Sequence, residues 1–416
     1  MRQTKLDIVE THLVRQRSLV VGIDVSKKSL SACACTPERL LLGRACFANS
    51  GPGYRALLAW IKRLKRENGF RLALVGMEPT GSYSKPLQRF LFSRGVTCVQ
   101  VNPAHVKKTK DLEDNSPDKN DKKDPLIIAD LVRQGKFLTV LVPTGVIAGL
   151  RECVRGRERI VTMRTQLINQ LESVVFEAFP EFFSVFRDLT TRTAQAVLAH
   201  CPTPQAIRSL GLEGLTQLVR KASRGRSGRE VAEALVAVAE ESVGIWEAEP
   251  EYRQQLSFLL QLIATLDEFI RGQERHMRGL LKRVPYAAFI LSIPGVGVVT
   301  TAAILSELGD LQRYRSPQEV LKQAGLNLYQ LSSGGHRGRA RISRRGSALL
   351  RKYLYLAAMA VVNSRNCVYR EFYRSYTARA GKSKALTAVM RKLLVLAFTL
   401  ARKEQNYQRS VPVASA

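Results

Sequence analysis

Hydrophobic and polar positions alternate along the first part of the chain, and helical spacing takes over further on. Between residues 18 and 134 the pattern predicts three closely spaced strands followed by alternating helices and strands, in the order βββαβαβα. The predicted strands are Leu19–Val25, Leu30–Cys35, Leu40–Phe47, Leu72–Met77 and Val96–Val101. The predicted helices are Gly53–Lys65, Lys85–Ser93 and Pro125–Gln134. This order indicates a mixed sheet flanked by helices.

Past Thr144 the chain is predicted to be almost wholly helical. Two stretches have hydrophobic residues at heptad spacing, which is the pattern of a coiled-coil seam. The first comprises Val154, Val161, Ile168 and Val175, and the second comprises Tyr252, Leu256, Leu259, Ile263, Leu266 and Ile270. Two such helices imply an antiparallel pair, a contact between two copies of the chain, or both. Ordinary amphipathic helices in a local bundle remain the alternative.

Changes of pattern divide the chain into five segments of an α/β plus α protein. Residues 1–16 form an N-terminal tail, and residues 17–143 form the α/β domain, whose order of elements matches the RNase H-like architecture by analogy of fold alone. Residues 144–285 form a helical coiled-coil connector. Residues 286–403 form a mostly helical C-terminal domain, and residues 404–416 form a flexible tail.

A large excess of positive charge points to a polyanionic partner. The chain has 65 Lys and Arg against 35 Asp and Glu, which gives a formal charge of +30. A cationic surface of this size attracts nucleic acid, which is the first partner to expect. The longest apolar runs, such as 393–401, are too short to span a bilayer, and the first residues lack the apolar core of a signal peptide. We therefore expect a cytoplasmic, nucleoid-associated protein with no membrane partner.

Four carboxylates stand where a charge needs a special reason. Asp24 lies inside the apolar run of the first strand, in GIDVSK, where its burial is costly unless a partner such as a metal ion compensates it. Glu78 ends another apolar strand, and the two strands could be neighbours. Asp121 and Asp124 share one face at the start of a predicted helix. Mg²⁺ prefers carboxylate oxygens, so these four acids form a candidate magnesium site that could act on a phosphodiester.

These acids also have structural interpretations. Asp121 and Asp124 would stabilise a helix N-terminus by their charge alone. Asp130, further along the same helix, is predicted to be a surface residue rather than a fifth member of the site. Asp24 is the hardest of them to explain structurally.

A serine pair, a glycine turn and a dense run of arginines follow one another in SSGGHRGRARISRRG. Guanidinium groups clamp phosphate oxygens and stabilise charge on a transferring phosphoryl group. A serine hydroxyl in such a field could attack phosphorus as a covalent nucleophile. On spacing alone, a loop that only binds a nucleic-acid backbone remains open, with the serines as turn residues. The candidate nucleic-acid-binding residues are Lys27, Arg337, Arg339, Arg341, Arg344 and Arg345.

Upstream of this segment, IPGVG resembles the hairpin of a helix-hairpin-helix module. Gly295 and Gly297 precede a predicted helix, whose N-terminal amides could bind a phosphate. A tight turn with no ligand is the alternative.

Together these motifs are similar to those of one family. GIDVSK, MEPTGSY, NDKKDPLIIADL, IPGVG with AGLNL, and SSGGHRGRARISRRGSALLRKYL resemble, in this order, the motifs of the DEDD insertion-sequence transposases, relatives of the Piv DNA invertase. The similarity extends over residues 17–402. The combination is specific, although each motif alone is not.

The resemblance implies a RuvC-like N-terminal domain, a coiled-coil connector and a C-terminal transposase domain that together recombine duplex DNA. It also implies a structured bridge RNA that pairs with donor and target DNA. The working form is implied to be a homo-oligomer, a dimer or a tetramer, whose active site combines the acidic domain of one protomer with the serine domain of another.

Site residues follow from the resemblance position by position. The implied catalytic and Mg²⁺-binding tetrad is Asp24, Glu78, Asp121 and Asp124. The implied nucleophile is Ser333, with Ser332 as the alternative. Pro125 stands where relatives often have alanine, a change that a first helical turn tolerates.

Two other functions remain open on the sequence. A RuvC-like structure-specific DNA endonuclease would hydrolyse junctions with metal-activated water and would not need Ser333. A non-catalytic RNA or DNA scaffold would need none of the four acids, because its binding would follow the basic surface.

Overall fold

The computed structural model describes residues 18–79, 81–113, 124–139, 142–244, 248–330, 332–333, 336–338, 340–364 and 368–408. The chain divides into two units, residues 1–142 and 143–416. The first is an α/β structure and the second is mostly helical. No helix in the described ranges is long and apolar enough to cross a membrane.

Six strands of the first unit form one mixed sheet. They are β1 (Ser18–Val25), β2 (Ser29–Cys35), β3 (Leu41–Ala48), β4 (Leu72–Met77), β5 (Thr97–Val101) and β6 (Phe137–Thr139). β2 lies between β1 and β3 and is antiparallel to both, whereas β1, β4 and β5 are parallel neighbours. β6 is antiparallel to β5 at the far edge. The spatial order is therefore β3-β2-β1-β4-β5-β6.

The described helices of the first unit cover both faces of this sheet. They are α1 (Gly51–Glu67), α2 (Lys85–Ser93), α3 (Pro103–Glu113) and α4 (Asp124–Arg133). Val21 and Ile23 of β1 pack in a core with α1 and α2. Val20, which points to the opposite face, packs in a core with α3 and α4. Because β1 is covered on both faces, its sequence is a nearly continuous apolar run.

The eight elements predicted from the periodicity are present, with ends that differ by at most two residues from the prediction. The strands that carry Asp24 and precede Glu78 are neighbours, as expected, because β1 pairs with β4. The prediction missed α3 and β6. Among the described side chains of α3, Val106 is the only fully buried hydrophobic one, so the helix has no apolar periodicity. β6 has only three residues.

Two glycines that face each other across β1 and β4 allow α4 to pack closely on the sheet. Gly22 pairs with Gly76 in the parallel register. A Cβ atom at Gly22 would lie 2.0 Å from the carbonyl oxygen of Pro125, and one at Gly76 would lie 2.2 Å from Cγ2 of Val132. Side chains do not approach so closely, so α4 lies where it does only because both positions lack a Cβ atom.

The described part of the second unit is helical apart from four two-residue strands. Its long and short helices are α5 (Gly145–Ala178), α6 (Phe182–Val185), α7 (Arg192–His200), α8 (Pro204–Ser223), α9 (Arg229–Glu240), α10 (Glu249–Leu281), α11 (Ala287–Leu291), α12 (Val298–Leu308), a 3₁₀ turn (Leu311–Arg313), α13 (Pro317–Ala324), α14 (Ala348–Asn363), α15 (Tyr369–Ala380) and α16 (Lys382–Lys403). The strands are β7 (Leu328–Tyr329), β8 (Ser332–Ser333), β9 (His336–Arg337) and β10 (Arg341–Ile342).

The two longest helices, α5 and α10, run antiparallel to each other. Near the end of α5, Glu177 accepts a hydrogen bond of 3.1 Å from the hydroxyl of Tyr252, which lies near the start of α10. Closer to the middle of both helices, Arg164 pairs with Asp267 at 2.5 Å. The expected antiparallel pair is therefore present within one chain.

The heptad-spaced residues of α5 are buried most deeply towards its two ends. Val154 and Val175 are fully buried, whereas Val161 and Ile168 between them are half-buried. Val175 belongs to a core formed with α6 to α9 and the start of α10. Val154 belongs to a second core formed with the end of α10 and with α11 to α16. The α5–α10 pair thus connects two separate hydrophobic cores.

We predict that Gly22→Ala destabilises the first unit, because the new methyl group would collide with the backbone of α4. Overpacking of this kind costs about 1–3 kcal/mol of unfolding free energy. Urea denaturation followed by tryptophan fluorescence measures the effect. Trp246→Phe is included in every variant, so that Trp60 is the only remaining tryptophan of the two in the chain.

Gly43→Ala on β3 is the control for this prediction. Its Cβ atom would lie 3.6 Å from the ring of Trp60, which is an ordinary contact. Equal stability of the two alanine variants would contradict the close packing of α4 on Gly22.

Candidate active site

The parallel pairing of β1 with β4 brings Asp24 and Glu78 to the same end of the sheet. The register aligns Gly22 with Gly76. Asp24 follows Gly22 by two residues, and Glu78 follows Gly76 by two residues. Both carboxylate side chains are half-buried. Lys27, another predicted site residue, is exposed in the turn that follows β1.

Asp124 reaches the same region from the helix that packs on these strands. It is the first residue of α4, and the next residue, Pro125, lies directly over Gly22. The side chain of Asp124 is 21 % exposed and forms an ion pair with the ammonium of Lys110 on α3. The close approach of α4 to the sheet therefore also sets the position of this carboxylate.

The charges of the three described carboxylates act on one another. Burial raises the pKa of Glu78 above its usual value, and the negative charges of Asp24 and Asp124 raise this pKa further. The ammonium of Lys110 acts in the opposite direction. Three acids from two strands and one helix thus share one region of the first unit, and a lysine lies among them.

The fourth predicted acid, Asp121, lies outside the described residues. Among the residues that the structure describes, no three His, Cys, Asp or Glu side chains are close enough to hold one metal ion together. The donors are nevertheless all carboxylate oxygens, which Mg²⁺ prefers. A divalent cation would also relieve the repulsion that raises the pKa of Glu78. The residues present therefore fit such a cation by their chemistry, although Asp124 is engaged by Lys110.

Asp130 is buried, so the prediction that it is a surface residue is wrong. Its exposed fraction is 4 %. Its carboxylate accepts a hydrogen bond of 2.8 Å from Nε of Arg133 and forms an ion pair of 3.6 Å with Arg39. Arg39 belongs to the turn between β2 and β3, and Arg133 also donates to the carbonyl oxygen of Pro37 in that turn. Asp130 is buried because this turn covers the helix, and its role is to fasten the two together.

The predicted serine pair forms β8, which pairs with β9 in an antiparallel hairpin. In this register Ser332 lies opposite Arg337, and Ser333 lies opposite His336. The glycine turn between the two strands and Arg339 lie outside the described residues. The backbone therefore places the serine pair beside the first residues of the arginine-rich segment.

The next three arginines of that segment, Arg341, Arg344 and Arg345, are exposed. Arg341 in β10 pairs through its backbone with Tyr329 of β7. Arg344 has a positive φ of 54°, and its backbone N–H donates to the carbonyl oxygen of Gly325 at 3.0 Å. The segment is thus anchored by its backbone while these guanidinium groups face solvent.

The predicted phosphate-binding hairpin lies between α11 and α12. Gly295 has a φ of 85°, and the backbone N–H of Val296 donates to the carbonyl oxygen of Ile293 at 3.0 Å. Gly297 is the N-cap residue of α12, and a Cβ atom built on it would meet no heavy atom within 4 Å. The first amides of α12 therefore open onto an exposed turn.

Sequence reasoning missed Lys110, because it did not predict α3. The run KKTK, which directly precedes the acidic residues 111–121, was the signal that could have pointed to a counter-ion. This run could be recognised as a source of a counter-ion only if α3 were known to pack beside α4, and the sequence pattern does not predict that contact.

Two family models match the chain and together cover more than half of it. Residues 21–180 match a transposase model of the DEDD type found in IS110 elements. Residues 287–374 match the transposase family of IS116, IS110 and IS902.

Three relatives agree with these matches, two of them over nearly their whole length. An uncharacterised protein of insertion element IS116 from Streptomyces clavuligerus is 24% identical over 96% of this chain and 98% of its own length. The transposase of insertion sequence element IS1111A from Coxiella burnetii is 22% identical over 98% of this chain and 96% of its own length. The pilin gene-inverting protein of Moraxella bovis is 27% identical over 30% of this chain and 39% of its own length.

The class of protein is therefore a transposase, an enzyme that cuts and rejoins DNA. The chain belongs to the IS110 family of insertion-sequence transposases, and the resemblance inferred from its motifs is confirmed.

We predict that Asp130→Asn destabilises the first unit without being part of the acidic site. The neutral amide cannot attract Arg39 and Arg133, and we expect a loss of about 1–3 kcal/mol in unfolding free energy. Glu67→Gln is the control, because Glu67 is half-exposed in its ion pair with Arg63 and should change stability little. Urea denaturation followed by Trp60 fluorescence compares the two variants, and equal midpoints would contradict the fastening role of Asp130.

Proposed function

We propose that this transposase cuts and rejoins duplex DNA through a covalent protein–DNA intermediate. In this proposal Mg²⁺ is bound by the tetrad, and Ser333 is the nucleophile. The residues of the tetrad are Asp24, Glu78, Asp121 and Asp124. The proposal rests above all on the positions of the three described carboxylates, which β1, β4 and the start of α4 bring to one region of the first unit. Burial raises the pKa of Glu78 there, and the charges of Asp24 and Asp124 raise this pKa further. Such a cluster is costly unless a cation compensates it.

An RNase H-like fold of the RuvC type is proposed for residues 17–143. The antiparallel β1–β3 meander, followed by the parallel strands β4 and β5 with helices between them, supports this assignment. The carboxyl ends of adjacent parallel strands are where α/β sheets commonly build their sites, and Asp24 and Glu78 stand there. The α5–α10 pair is proposed to be the coiled-coil connector within residues 144–285, and residues 286–403 the transposase domain with the serine.

The proposed reaction is a transesterification at phosphorus. The carboxylates of the tetrad would bind Mg²⁺, which would supply a positive charge against the scissile phosphate. The Oγ atom of Ser333 forms a bond to phosphorus as the bond from phosphorus to a deoxyribose oxygen breaks, and the serine proton passes to that leaving oxygen or to solvent. Attack of a deoxyribose hydroxyl on the phosphoserine reverses these steps, rejoins the strand and restores the serine.

Phosphate binding is assigned to the arginine-rich segment and the glycine hairpin. The exposed guanidinium groups of residues 341, 344 and 345 suit bidentate contacts to phosphate oxygens. Arg337 and Arg339 are proposed to act with them beside the serine. Lys27 is proposed to contact DNA near the carboxylates. Gly295 and Gly297 leave the first amides of α12 open for a backbone phosphate.

The proposed partners are donor and target duplex DNA, a structured bridge RNA that guides recombination, and further copies of the chain in a dimer or tetramer. The formal charge of +30 supports polyanionic partners. The protein is proposed to act in the cytoplasm.

We predict that Ser333→Ala abolishes the covalent adduct, because the oxygen that bonds to phosphorus is lost. Ser332→Ala, the neighbouring residue of β8, is the matched control and should still form the adduct. Labelled DNA that spans the end of the element is incubated with Mg²⁺ and RNA transcribed from the element's non-coding flank, and a denaturing gel resolves the products. A normal yield of adduct in Ser333→Ala would refute the assignment, and loss in Ser332→Ala alone would move the role to that residue.

We predict that Asp24→Asn lowers the rate of Mg²⁺-dependent DNA cleavage by more than about 100-fold, since even loss of an outer-shell partner of a metal ligand costs 10–100-fold. DNA binding should persist, because it follows the basic surface. Glu67→Gln is the control, because Glu67 is an acid on the exposed surface of the same unit, and this variant should leave the rate unchanged.

Cut but unjoined products that persist in Ser333→Ala and vanish in Asp24→Asn would instead indicate a RuvC-like endonuclease. Unchanged activity in Asp24→Asn would indicate that the acids have no catalytic role.

A further inference from the structure

Lys110 extends from a helix that is well anchored beside the carboxylates. α3 begins directly after β5, and the side chain of Asn102 accepts a hydrogen bond of 2.9 Å from the backbone N–H of Ala104. Val106, one turn before Lys110, is 3 % exposed and packs in the core that α4 forms with the sheet. The fold therefore holds the backbone of Lys110 next to the start of α4.

The ammonium of Lys110 forms an ion pair with Oδ1 of Asp124. This oxygen is closed to solvent and, within the described residues, accepts no hydrogen bond of normal geometry. The side chains of Lys110 and Asp124 are 36 % and 21 % exposed, so solvent screens the pair less than it would on an open surface. The ammonium is thus the positive charge that balances Asp124.

The influence of Lys110 extends beyond its direct partner. Its charge opposes the rise in the pKa of Glu78 that burial and the neighbouring acids cause. Lys110 therefore places positive charge among the carboxylates, as a bound cation would.

We propose that Lys110 is an internal counter-ion that competes with the divalent cation for Asp124, so that metal binding displaces its ammonium. This inference rests on the proposed function, because it requires the carboxylates to bind Mg²⁺. An ammonium and a metal ion repel each other and cannot both hold one carboxylate oxygen at full strength. The lysine thus holds the carboxylates together in the metal-free protein and lowers their affinity for Mg²⁺.

Neutral and charge-conserving variants of the full-length chain test this competition. Lys110→Met removes the charge and keeps the helix propensity, whereas Lys110→Arg keeps the charge. Lys110→Gln is a second neutral variant in case Lys110→Met folds poorly. Lys107→Met is the matched control, since it removes one charge from an exposed position of the same helix. Isothermal titration calorimetry at constant ionic strength gives the Kd for Mg²⁺, and melting in EDTA and in saturating Mg²⁺ gives the Tm.

We expect both neutral variants of Lys110 to bind Mg²⁺ with a Kd about five-fold lower than that of the wild type, the size of one partly exposed ion pair. In EDTA their Tm should fall, because the carboxylates lose their counter-ion, and saturating Mg²⁺ should restore it. Lys107→Met and Lys110→Arg should keep a Kd close to that of the wild type.

The other outcomes separate this inference from the proposed metal site. Equal Kd values for the wild type and the neutral Lys110 variants, with clear Mg²⁺ binding by both, would overturn the counter-ion role and leave the metal site standing. An equally large fall in the Kd of Lys107→Met would also overturn it, because any charge on α3 would then suffice. We expect loss of Mg²⁺ binding only in Asp24→Asn. If the wild type and Lys110→Met also fail to bind Mg²⁺, the proposed metal site and this inference are both overturned.

Discussion

The candidate site depends on how closely the backbone of α4 approaches the sheet. The paired glycines Gly22 and Gly76 remove the two Cβ atoms that would otherwise collide with the helix. Each glycine precedes a carboxylate by two residues, so the segments that let the helix approach also carry the acids it approaches. Asp124 stands at the first position of α4, and the same contact therefore sets its distance from the other two. A small shift of one helix would change the geometry of the whole cluster.

Packing supplies the energy that holds these like charges together. Ile127, Ile128 and Leu131 of α4 are almost fully buried, and burial of each such side chain contributes about 1.5–3 kcal/mol. Like charges repel more strongly near a protein surface than in water, and burial adds to the cost of charging Glu78. The apolar face of one helix thus offsets much of the repulsion, and a positive charge among the acids offsets more. The fold can therefore bring the three described carboxylates to one region of the first unit without a cation, although they do not lie close enough to hold one ion together.

Sequence periodicity predicted the sheet and its helices because each of those elements buries several residues at regular spacing. It failed for α3, whose one fully buried hydrophobic side chain among those described, Val106, gives no period. Asp130 was predicted to be a surface residue because the pattern of its own helix does not show that a turn from a distant part of the chain covers it. The acids Asp24 and Glu78 were recognisable as charges at the ends of apolar strands. The role proposed for Ser333 is not recognisable in this way, since a serine beside a glycine turn has the same sequence pattern whether it is a turn residue or a nucleophile.

The acidic cluster and the arginine-rich segment pose opposite electrostatic problems for a DNA substrate. Phosphate groups are attracted to exposed arginines, and a formal charge of +30 makes this attraction general rather than selective. The same phosphate groups are repelled by the carboxylates until enough positive charge lies among them. Lys110 supplies one such charge, in its ion pair with Asp124 and near Glu78. Attraction of DNA to the exposed arginines and access of a phosphate to the carboxylates therefore depend on different charges, and the proposed divalent cation would act on the second.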